Sequence, residues 1–417
     1  MRVSPSIEEI GARAKAAARV IGGLSPAIKS ALLESMADHV DAARAQILAA
    51  NSADMELADA EGISGALLDR LRLTEARIDA IVAGLGKVAG LADPVGVVTK
   101  GWRMDNGVDV KRVRVPLGVV AVIYEARPNV TADAAGLCVK AGNAVLLRGS
   151  SYALRSNRAI GDALRAALVA RDLPVDTVQV LDDTSREGAT ALMQATGWVD
   201  LLVPRGGQGL ISAVAAEAKV PFVIDGAGNC HVYVDAAADL GKAEAITLNA
   251  KVQRPGVCNA AETLLVHRDV AAEFIPKVAA ALRGEGVELR GDEAARALDG
   301  DMAPASDVDW ATEFLDLVMA VKVVDGIGEA IEHIRRYGTG HTEVIVTEDL
   351  AAADAFVGGV DAAVTAVNVS SRFTDGEEFG YGAEIGISTQ KLHVRGPMGL
   401  EALTCERYVL TGSGQVR

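Results

Sequence analysis

Between residue 117 and about residue 235, short apolar segments alternate with longer segments of helical periodicity, and this alternation constrains the fold more than any other feature. The segments between the apolar runs have the spacing of amphipathic helices, as in SSYALRSNRAIGDALRAALVARD and SREGATALMQAT. Strands and helices that alternate in this way build βαβ units around a parallel sheet. The sequence therefore predicts an α/β fold of the dinucleotide-binding type, with strands at VVAVIY, NAVLLR, TVQVLD, DLLVPR and PFVID.

The flanking segments predict further regions. Residues 5–90 carry Ala, Leu and Ile at helical spacing, with breaks predicted at Asn51 and Gly62. The Asp-Asn-Gly run at 105–107 is a hairpin signal between valine-rich strands. That ribbon is either an ordinary surface hairpin or one that lies on a neighbouring subunit. The α/β pattern resumes at 243–365, with strands predicted at TLLVH, MAVKVV and EVIVTED.

Composition and charge exclude several classes of protein. A net charge of -15 argues against a nucleic-acid surface, which would carry a basic patch. No stretch approaches the roughly 20 apolar residues that span a bilayer, and the opening residues lack the apolar core of an export signal. The 4 cysteines have no CxxC spacing, and no histidine has a partner at metal-ligand spacing. We expect a cytoplasmic protein without nucleic-acid partner, membrane segment or metal site.

Cys258, in the run KVQRPGVCNAAETLLVH, is the candidate nucleophile of the sequence. Taken alone, a cysteine in front of an apolar strand is more often a small buried residue than a reactive one. Two neighbouring features favour reactivity here. Pro255 and Gly256 permit a tight turn that can present a side chain into a cleft, and Ala260 and Ala261 leave room for a substrate.

The segment from Gln253 to Ala260 resembles the nucleophile segment of the aldehyde dehydrogenase superfamily. Five blocks in order along the chain resemble, more narrowly, the gamma-glutamyl phosphate reductase family: EARPNVTADAAGLCVKAGNAVLLRGSSYALRSN, DLLVPRGGQGLI, QRPGVCNAAETLLVH, YGTGHTEVIVTED and HVRGPMGLEALT. The resemblance implies an aldehyde dehydrogenase-like α/β fold in a homo-oligomer. Its expected parts are a Rossmann-type NADPH-binding domain (1–100 and 117–230), an α/β catalytic domain with the nucleophile (231–365), and a small β oligomerisation region (101–116 and 366–417).

The same resemblance implies a reaction. It is the NADPH-dependent reduction of L-glutamate 5-phosphate to L-glutamate 5-semialdehyde and phosphate, the second step of proline biosynthesis from glutamate. Cys258 would carry the glutamyl group as a thioester, for which a thiolate is suited because it attacks acyl carbon well and later leaves well. Functional association with glutamate 5-kinase, which supplies the labile acyl phosphate, is expected as well.

Roles for further residues follow from the resemblance and from local chemistry. Asn129 follows the strand VVAVIY and is a candidate oxyanion donor with the backbone N–H of Cys258. A helix begins after the strand NAVLLR, and its free N–H groups favour a phosphate or ribose. Glu313 is expected to hold the nicotinamide ribose. The predicted NADPH-binding residues are Arg148, Gly149, Ser150, Ser151, Pro204, Arg205, Gly206, Gly207 and Glu313.

The carboxylate of the substrate needs a cationic partner, and the sequence leaves open whether Arg127, Arg372 or Arg395 supplies it. Hydrolytic aldehyde dehydrogenases activate water with a Glu, and Ile224 stands at the corresponding position when the chain is aligned on Gly226. Asp225, one residue further on, is an alternative base. Two other functions therefore remain open: a hydrolytic aldehyde dehydrogenase, and a cofactor-binding protein of this fold without catalysis.

Overall fold

The computed structural model describes residues 5–63 and 65–417, and the chain folds into two compact units. Unit 1 comprises the described residues of Met1–Ile224 together with Gly380–Gly386 and Met398–Arg417. Unit 2 comprises Asp225–Phe379 and Ile387–Pro397. The assignment of nucleotide binding, catalysis and oligomerisation to separate segments of the chain stays a prediction.

Helices occupy both units. In unit 1 they are Ile7–Ile21 (α1), Pro26–Ala42 (α2), Arg44–Ala60 (α3), Gly65–Leu71 (α4), Glu75–Gly90 (α5), Asn129–Lys140 (α6), Leu154–Val169 (α7), Arg186–Met193 (α8) and Gln208–Glu217 (α9). In unit 2 they are Leu240–Val252 (α10), Arg268–Gly284 (α11), Glu293–Leu298 (α12), Asp307–Trp310 (α13), Ile327–Tyr337 (α14) and Leu350–Gly359 (α15). Short 3-10 turns lie at Ser151–Ala153, Val175–Thr177, Ser371–Phe373 and Leu400–Leu403.

The strands are distributed in the same way. The first six belong to unit 1: Val98–Arg103 (β1), Asp109–Pro116 (β2), Val119–Tyr124 (β3), Ala144–Arg148 (β4), Val178–Val180 (β5) and Leu201–Arg205 (β6). The next nine belong to unit 2: Cys230–Val234 (β7), Ala261–His267 (β8), Glu288–Gly291 (β9), Ala303–Pro304 (β10), Val318–Val324 (β11), Thr342–Val346 (β12), Val364–Val367 (β13), Ile387–Ser388 (β14) and Gly396–Pro397 (β15). The last strand, Thr404–Thr411 (β16), returns to unit 1.

Unit 1 is built on a parallel sheet in the order β5-β4-β3-β6. Every residue of β3 is buried, as expected for a central parallel strand with both faces covered. Helix α1 covers one face with Ala14 and Ala17, which pack into a cluster with Val119 and Leu146. Ser6 caps α1, because its side chain accepts from the N–H of Glu9 while the Glu9 carboxylate accepts from the N–H of Ser6.

The predicted hairpin is confirmed. Strands β1 and β2 pair antiparallel across the turn at 105–107, where Gly107 has φ 85°, and β16 pairs antiparallel with the other edge of β2. Valine and aromatic side chains remain exposed on this three-stranded sheet, including Val98, Trp102 and Tyr408.

Unit 2 is a seven-stranded parallel sheet in the order β10-β9-β11-β8-β7-β12-β13. Apolar side chains pack on both faces: Phe274 of α11 belongs to one buried cluster, and Phe356 of α15 belongs to another with Ile334 of α14. The strand β8, which follows Cys258, lies at the centre of the sheet. Among residues 5–63 and 65–417, the structure contains no helix with the length and apolar character to cross a membrane.

Two local predictions are wrong. The segment PFVID forms no named strand and contributes only two isolated bridges, Phe222 with Leu202 and Asp225 with Ser388. Asn51 lies inside α3 and does not break it, because its side chain donates to the carbonyl of Leu71 at 2.8 Å and accepts from the N–H of Leu73 at 2.7 Å. Tertiary hydrogen bonds thus satisfy a residue that usually marks a turn.

Candidate active site

Cys258 lies in the turn between α10 and β8 and is partly buried. The N–H of Ala260 donates to the carbonyl of Val257 at 3.0 Å, which closes a tight turn around the cysteine. The turn precedes the central strand of unit 2, so its position is fixed by the core of the sheet. This is the turn that the sequence predicted from Pro255 and Gly256.

A second chain segment lies directly on the backbone of the cysteine. At Gly228 a Cβ atom would stand 1.5 Å from the carbonyl oxygen of Cys258, so only glycine fits there without movement of the backbone. The Cys230 thiol donates to the same carbonyl at 3.2 Å, and burial raises the pKa of Cys230. Sequence reasoning missed both contacts, which join residues almost 30 positions apart.

Arg372 adjoins the Cys258 turn. Its guanidinium donates to Gln253 Oε1 at 2.7 Å and to the side-chain oxygen of Asn259, the residue after the cysteine. The Asn259 amide donates to the carbonyl of Thr374 at 2.9 Å. Burial lowers the pKa of Arg372, with a further contribution from the charge of Arg254.

A cavity of about 500 Å³ lies beside this network. One wall is α10 with Asn249 and Gln253, and the other is the segment 368–378, which includes Arg372. The cavity is large enough for an amino-acid side chain with a phosphate group. Arg372, one of the three arginines predicted for the substrate, thus lies both in the wall of this cavity and against the turn of the cysteine.

The other two arginines predicted for the substrate, Arg395 and Arg127, belong to different segments of the chain. Arg395 forms an ion pair with Asp361 at 2.8 Å, in the connection between α15 and β13. Arg127 belongs to unit 1, in the turn between β3 and α6.

The carboxylates near the Gly228 segment are hydrogen-bonded to backbone. Glu313 Oε1 accepts from the N–H of Gly228 at 2.7 Å, and burial raises the pKa of Glu313. Asp225 Oδ1 accepts from the N–H of Ile387 at 2.8 Å, which ties it to β14. Ile224, predicted from the sequence to stand at the position of the hydrolytic base, has a side chain that cannot take a proton.

The two conspicuous histidines of this unit are buried. Burial lowers the pKa of His341 to about 4, and its Nδ1 lies 2.8 Å from Thr342 Oγ1. His231 Nδ1 lies 2.8 Å from the buried carboxylate of Glu343. Both histidines are core residues in this structure. Among the described residues, no group of three or more His, Cys, Asp and Glu side chains could hold a metal ion.

The residues predicted to bind the cofactor belong to unit 1, except Glu313, which belongs to unit 2. Strands β4, β3 and β6 are neighbours and run parallel, so Arg148, Tyr124 and Arg205 end at the same edge of the sheet. The carboxyl edge of a parallel sheet is where nucleotides bind in such folds. The two predicted segments, 148–151 and 204–207, therefore share one edge.

The segment after β4 has the properties of a nucleotide cradle. A Cβ atom at Gly149 would stand 2.0 Å from Asn157 Nδ2, so Gly149 brings the backbone close to that amide. Asn157 Nδ2, Ser150 Oγ and Arg148 Nε are buried and lack a hydrogen-bond partner among the described residues. Unpartnered buried polar atoms of this kind call for a ligand or water. The residues present thus fit the adenosine half of a nicotinamide cofactor.

Arg148 also holds the neighbouring loop. Its terminal nitrogen donates to the carbonyls of Thr184 at 2.5 Å and Ser185 at 2.7 Å, just before α8. Burial lowers the pKa of Arg148, and the charge of Asp183 opposes that change. Arg148, which is predicted to bind the cofactor, therefore also links the end of β4 to the start of α8 by hydrogen bonds.

Glu125 lies on the glycine-rich turn after β6. Its carboxylate accepts from the N–H of Gly207 at 2.9 Å, at the start of α9, and a Cβ atom at Gly206 would meet that carboxyl at 2.8 Å. Sequence reasoning did not select Glu125. Its place directly after the buried strand β3 was the available signal.

Asn129 begins α6 and is exposed, and its amide donates to Asp133 at 2.9 Å. Burial raises the pKa of Asp133 to about 6, although Asn129 and the charge of Arg205 oppose the change. The role of Asn129 as an oxyanion donor stays a prediction. Asp133 is a second acidic residue near the sheet edge that the sequence did not reveal.

Comparisons with known proteins show the family and the fold of the chain. Residues 4–297 match the model of the aldehyde dehydrogenase family. A gamma-glutamyl phosphate reductase of Moorella thermoacetica is 53% identical over 417 residues, which cover 100% of both chains. An acetylating aldehyde dehydrogenase of Geobacillus thermoglucosidasius has the same fold, with a TM-score of 0.70, 18% identity and coverage of 98% of this chain and 97% of that chain.

The crystal structure of gamma-glutamyl phosphate reductase from Thermotoga maritima matches the whole fold. Its TM-score is 0.97 at 46% identity, with coverage of 99% of this chain and 100% of that chain. The family implies a nicotinamide cofactor, consistent with the cradle in unit 1. The chain belongs to the gamma-glutamyl phosphate reductases of the aldehyde dehydrogenase family.

Proposed function

We propose that this protein reduces L-glutamate 5-phosphate to L-glutamate 5-semialdehyde and phosphate with NADPH, through a thioester on Cys258. The observation that carries the proposal is the Cys258 turn: its thiol is partly buried, and the next residue, Asn259, accepts from Arg372, which lines a cavity of about 500 Å³. The names of the relatives support the choice of substrate, and proline biosynthesis is the pathway that this reaction serves.

In the first step the Cys258 thiolate attacks the acyl carbon of the substrate. The S–C bond forms as the carbonyl π electrons move to oxygen, which gives a tetrahedral oxyanion; the carbonyl then reforms as the C–O bond to phosphate breaks and phosphate leaves with the electron pair. The backbone N–H of Cys258 and the amide of Asn129 are the proposed donors to the oxyanion. Arg372 is the proposed partner of the substrate carboxylate.

In the second step the thioester is reduced. Bound NADPH supplies the hydride. The resulting hemithioacetal collapses with release of the Cys258 thiolate and the aldehyde. The proposed cofactor-binding residues are those of the two glycine-containing turns of unit 1 and Glu313.

The thioester survives until it is reduced because no carboxylate at the position of the hydrolytic base activates water. Ile224 cannot accept a proton, and Asp225 accepts from the N–H of Ile387 at 2.8 Å. These two observations weigh against a hydrolytic aldehyde dehydrogenase. The retained thiol and cradle weigh against a cofactor-binding protein without catalysis.

Two further proposals concern the assembly of the enzyme with copies of itself and with glutamate 5-kinase. The three-stranded sheet β1-β2-β16 exposes Trp102 and Tyr408, with 41% and 60% of their surface accessible, which supports burial of this sheet in a homo-oligomer. The acyl phosphate hydrolyses in water, and this favours cytoplasmic association with the glutamate 5-kinase that makes it.

The test is the reverse reaction: NADP reduction by glutamate 5-semialdehyde, with and without inorganic phosphate, for the wild type and Cys258→Ala. We expect turnover that requires phosphate and is lost in the variant. Turnover without phosphate would indicate a hydrolytic enzyme. NADPH binding without any turnover would leave only the cofactor-binding function, and activity of Cys258→Ala would remove the cysteine from the mechanism.

A further inference from the structure

The segment from Gly228 to Cys230 lies so close to the main chain of the nucleophile that no side chain at Gly228 fits between them. A Cβ at Gly228 would lie 1.5 Å from the carbonyl oxygen of Cys258, 2.4 Å from its carbonyl carbon and 2.9 Å from its Cα. The N–H of Cys230 donates to the carbonyl of Gly228 at 3.0 Å, which makes the segment a tight turn. The position of Cys258 therefore depends on the position of this turn.

The Cys230 thiol adds a directional contact. It donates to the carbonyl of Cys258 at 3.2 Å from a fully buried position. Because burial raises the pKa of Cys230, this side chain stays a neutral thiol that can donate. The turn thus meets the nucleophile's carbonyl through a glycine without a side chain and through one buried donor.

Four hydrogen bonds hold the turn to other segments of unit 2. Glu313 Oε1 accepts from the N–H of Gly228 at 2.7 Å. The Asn229 amide donates to the carbonyls of Trp310 and Tyr337, both at 2.8 Å. The N–H of Asn229 donates to Thr339 Oγ1 at 3.1 Å. Glu313 is the only one of these partners that supplies a carboxylate, and charge-assisted hydrogen bonds to backbone N–H groups are the stronger kind.

We propose that Glu313 is a positioning residue for Cys258: its carboxylate holds the Gly228–Cys230 turn against the main chain of the nucleophile before any cofactor binds. This role rests on the proposed function of Cys258 and is separate from the predicted contact of Glu313 with the nicotinamide ribose. One carboxylate oxygen serves the Gly228 N–H, so the other is available for that contact.

The test uses the cofactor-free enzyme, in which a ribose contact plays no part. Hydrogen exchange is followed in the peptides that contain 226–230 and 256–261, for the wild type, Glu313→Ala and Glu313→Gln. We expect exchange in both peptides to rise at least about threefold in Glu313→Ala, because the turn opens locally. Glu313→Gln retains an oxygen that accepts from Gly228, so its exchange stays within about twofold of the wild type.

Glu329→Ala is the matched control. Glu329 is also partly buried, lies in unit 2, and accepts from a backbone N–H, that of Asp325 at 2.8 Å. Its removal leaves exchange in 226–230 and 256–261 unchanged. A rise in 226–230 without any rise in 256–261 would overturn the proposal, because the turn would then not hold the nucleophile.

A second pair of variants keeps the test open if Glu313→Ala does not fold. Cys230→Ser retains a donor to the Cys258 carbonyl, and Cys230→Ala removes it. We expect the rate of Cys258 alkylation by iodoacetamide to depend on pH in Cys230→Ser and Glu313→Gln as it does in the wild type. In Cys230→Ala we expect the pH at which alkylation accelerates to shift. Equal profiles in all variants would contradict a positioning role. Alkylation does not require the reductase reaction, so failure of the proposed function would show instead as an active Cys258→Ala enzyme.

Discussion

The carboxylate of Glu125 accepts a hydrogen bond from the backbone N–H of Gly207 at 2.9 Å, at the first turn of α9. A helix N-terminus attracts anions because its first N–H groups are unpaired and the helix dipole is positive there. The family resemblance assigns the same turn to the cofactor's pyrophosphate. If the pyrophosphate binds at this turn, a side-chain carboxylate and a phosphate group compete for one donor.

This competition predicts that Glu125→Gln binds NADPH more tightly than the wild type. Removal of a negative charge at a helix N-terminus that also receives a phosphate is worth about 0.3–1 kcal/mol, or about a two- to fivefold lower Kd. The quenching of protein fluorescence on titration with NADPH measures the Kd. Glu56→Gln, an exposed substitution on α3, is the control. A higher Kd for NADPH in Glu125→Gln would contradict the prediction and would mean that the carboxylate stabilises the turn in the form that binds the cofactor.

The position of Arg148 leads to a prediction about the preference of the enzyme for NADPH over NADH. We expect Arg148→Ala to raise the Kd for NADPH about tenfold or more, since a hydrogen bond to a charged group is worth about 1.5–3 kcal/mol, and to change the Kd for NADH much less. The guanidinium also holds the carbonyls of Thr184 and Ser185. If that structural tie is its whole contribution, affinity for the two cofactors will fall equally. Arg158→Ala, which removes a surface ion pair with Asp182, is the control.

The elements at the sheet edge of unit 1 could be predicted from sequence because each follows a local rule. VVAVIY is a continuous apolar run and forms β3, and Arg148 and Arg205 end the predicted strands on either side. Parallel pairing then places both arginines at one edge. The hairpin at Gly107 followed equally from its turn residues.

The contacts around Cys258 could not be predicted because they join distant segments through single atoms. Gly228 is one glycine among 43 in the chain, and nothing local distinguishes it from the others. Its importance arises from the approach of the Cys258 carbonyl, which depends on the pairing of β7 with β8. The prediction of a helix break at Asn51 was wrong for the same reason, because its hydrogen-bond partners, Leu71 and Leu73, lie 20 residues or more away in the chain.

His333 predicts a loss of stability in mild acid. Burial lowers the pKa of His333 to about 3 from its ordinary 6.5, and the charges of His231, Lys322 and Arg336 add to this effect. Between those two pH values the unfolded chain binds a proton that the folded chain excludes, so stability falls as the pH falls. The contribution of His333 lowers the free energy of unfolding by about 2 kcal/mol between pH 7 and pH 5.

The urea midpoint at pH 7 and pH 5 measures this loss. In His333→Gln the difference between the two midpoints shrinks, because the excluded proton site is gone. His267→Gln is the control: His267 lies at the start of α11, where its Nδ1 accepts from the N–H of Asp269 at 3.1 Å. An unchanged pH dependence in His333→Gln would show that other groups, His341 among them, dominate the acid sensitivity.

Arg372 either binds the substrate carboxylate or only holds Asn259, and a comparison of glutamate 5-semialdehyde with butanal distinguishes these two roles. Its guanidinium contacts the side chains of Gln253 and Asn259, and it lines the cavity beside the Cys258 turn. If it binds the substrate carboxylate, Arg372→Ala lowers kcat/KM for glutamate 5-semialdehyde about a hundredfold, since loss of a charge-assisted bidentate pair costs about 3 kcal/mol. Butanal, which has no carboxylate, would then lose less than about fivefold. If Arg372 acts only by holding Asn259, the two aldehydes lose activity in the same proportion. Arg372→Lys keeps the charge but not the planar fork, so in the first case it recovers only part of the activity with glutamate 5-semialdehyde.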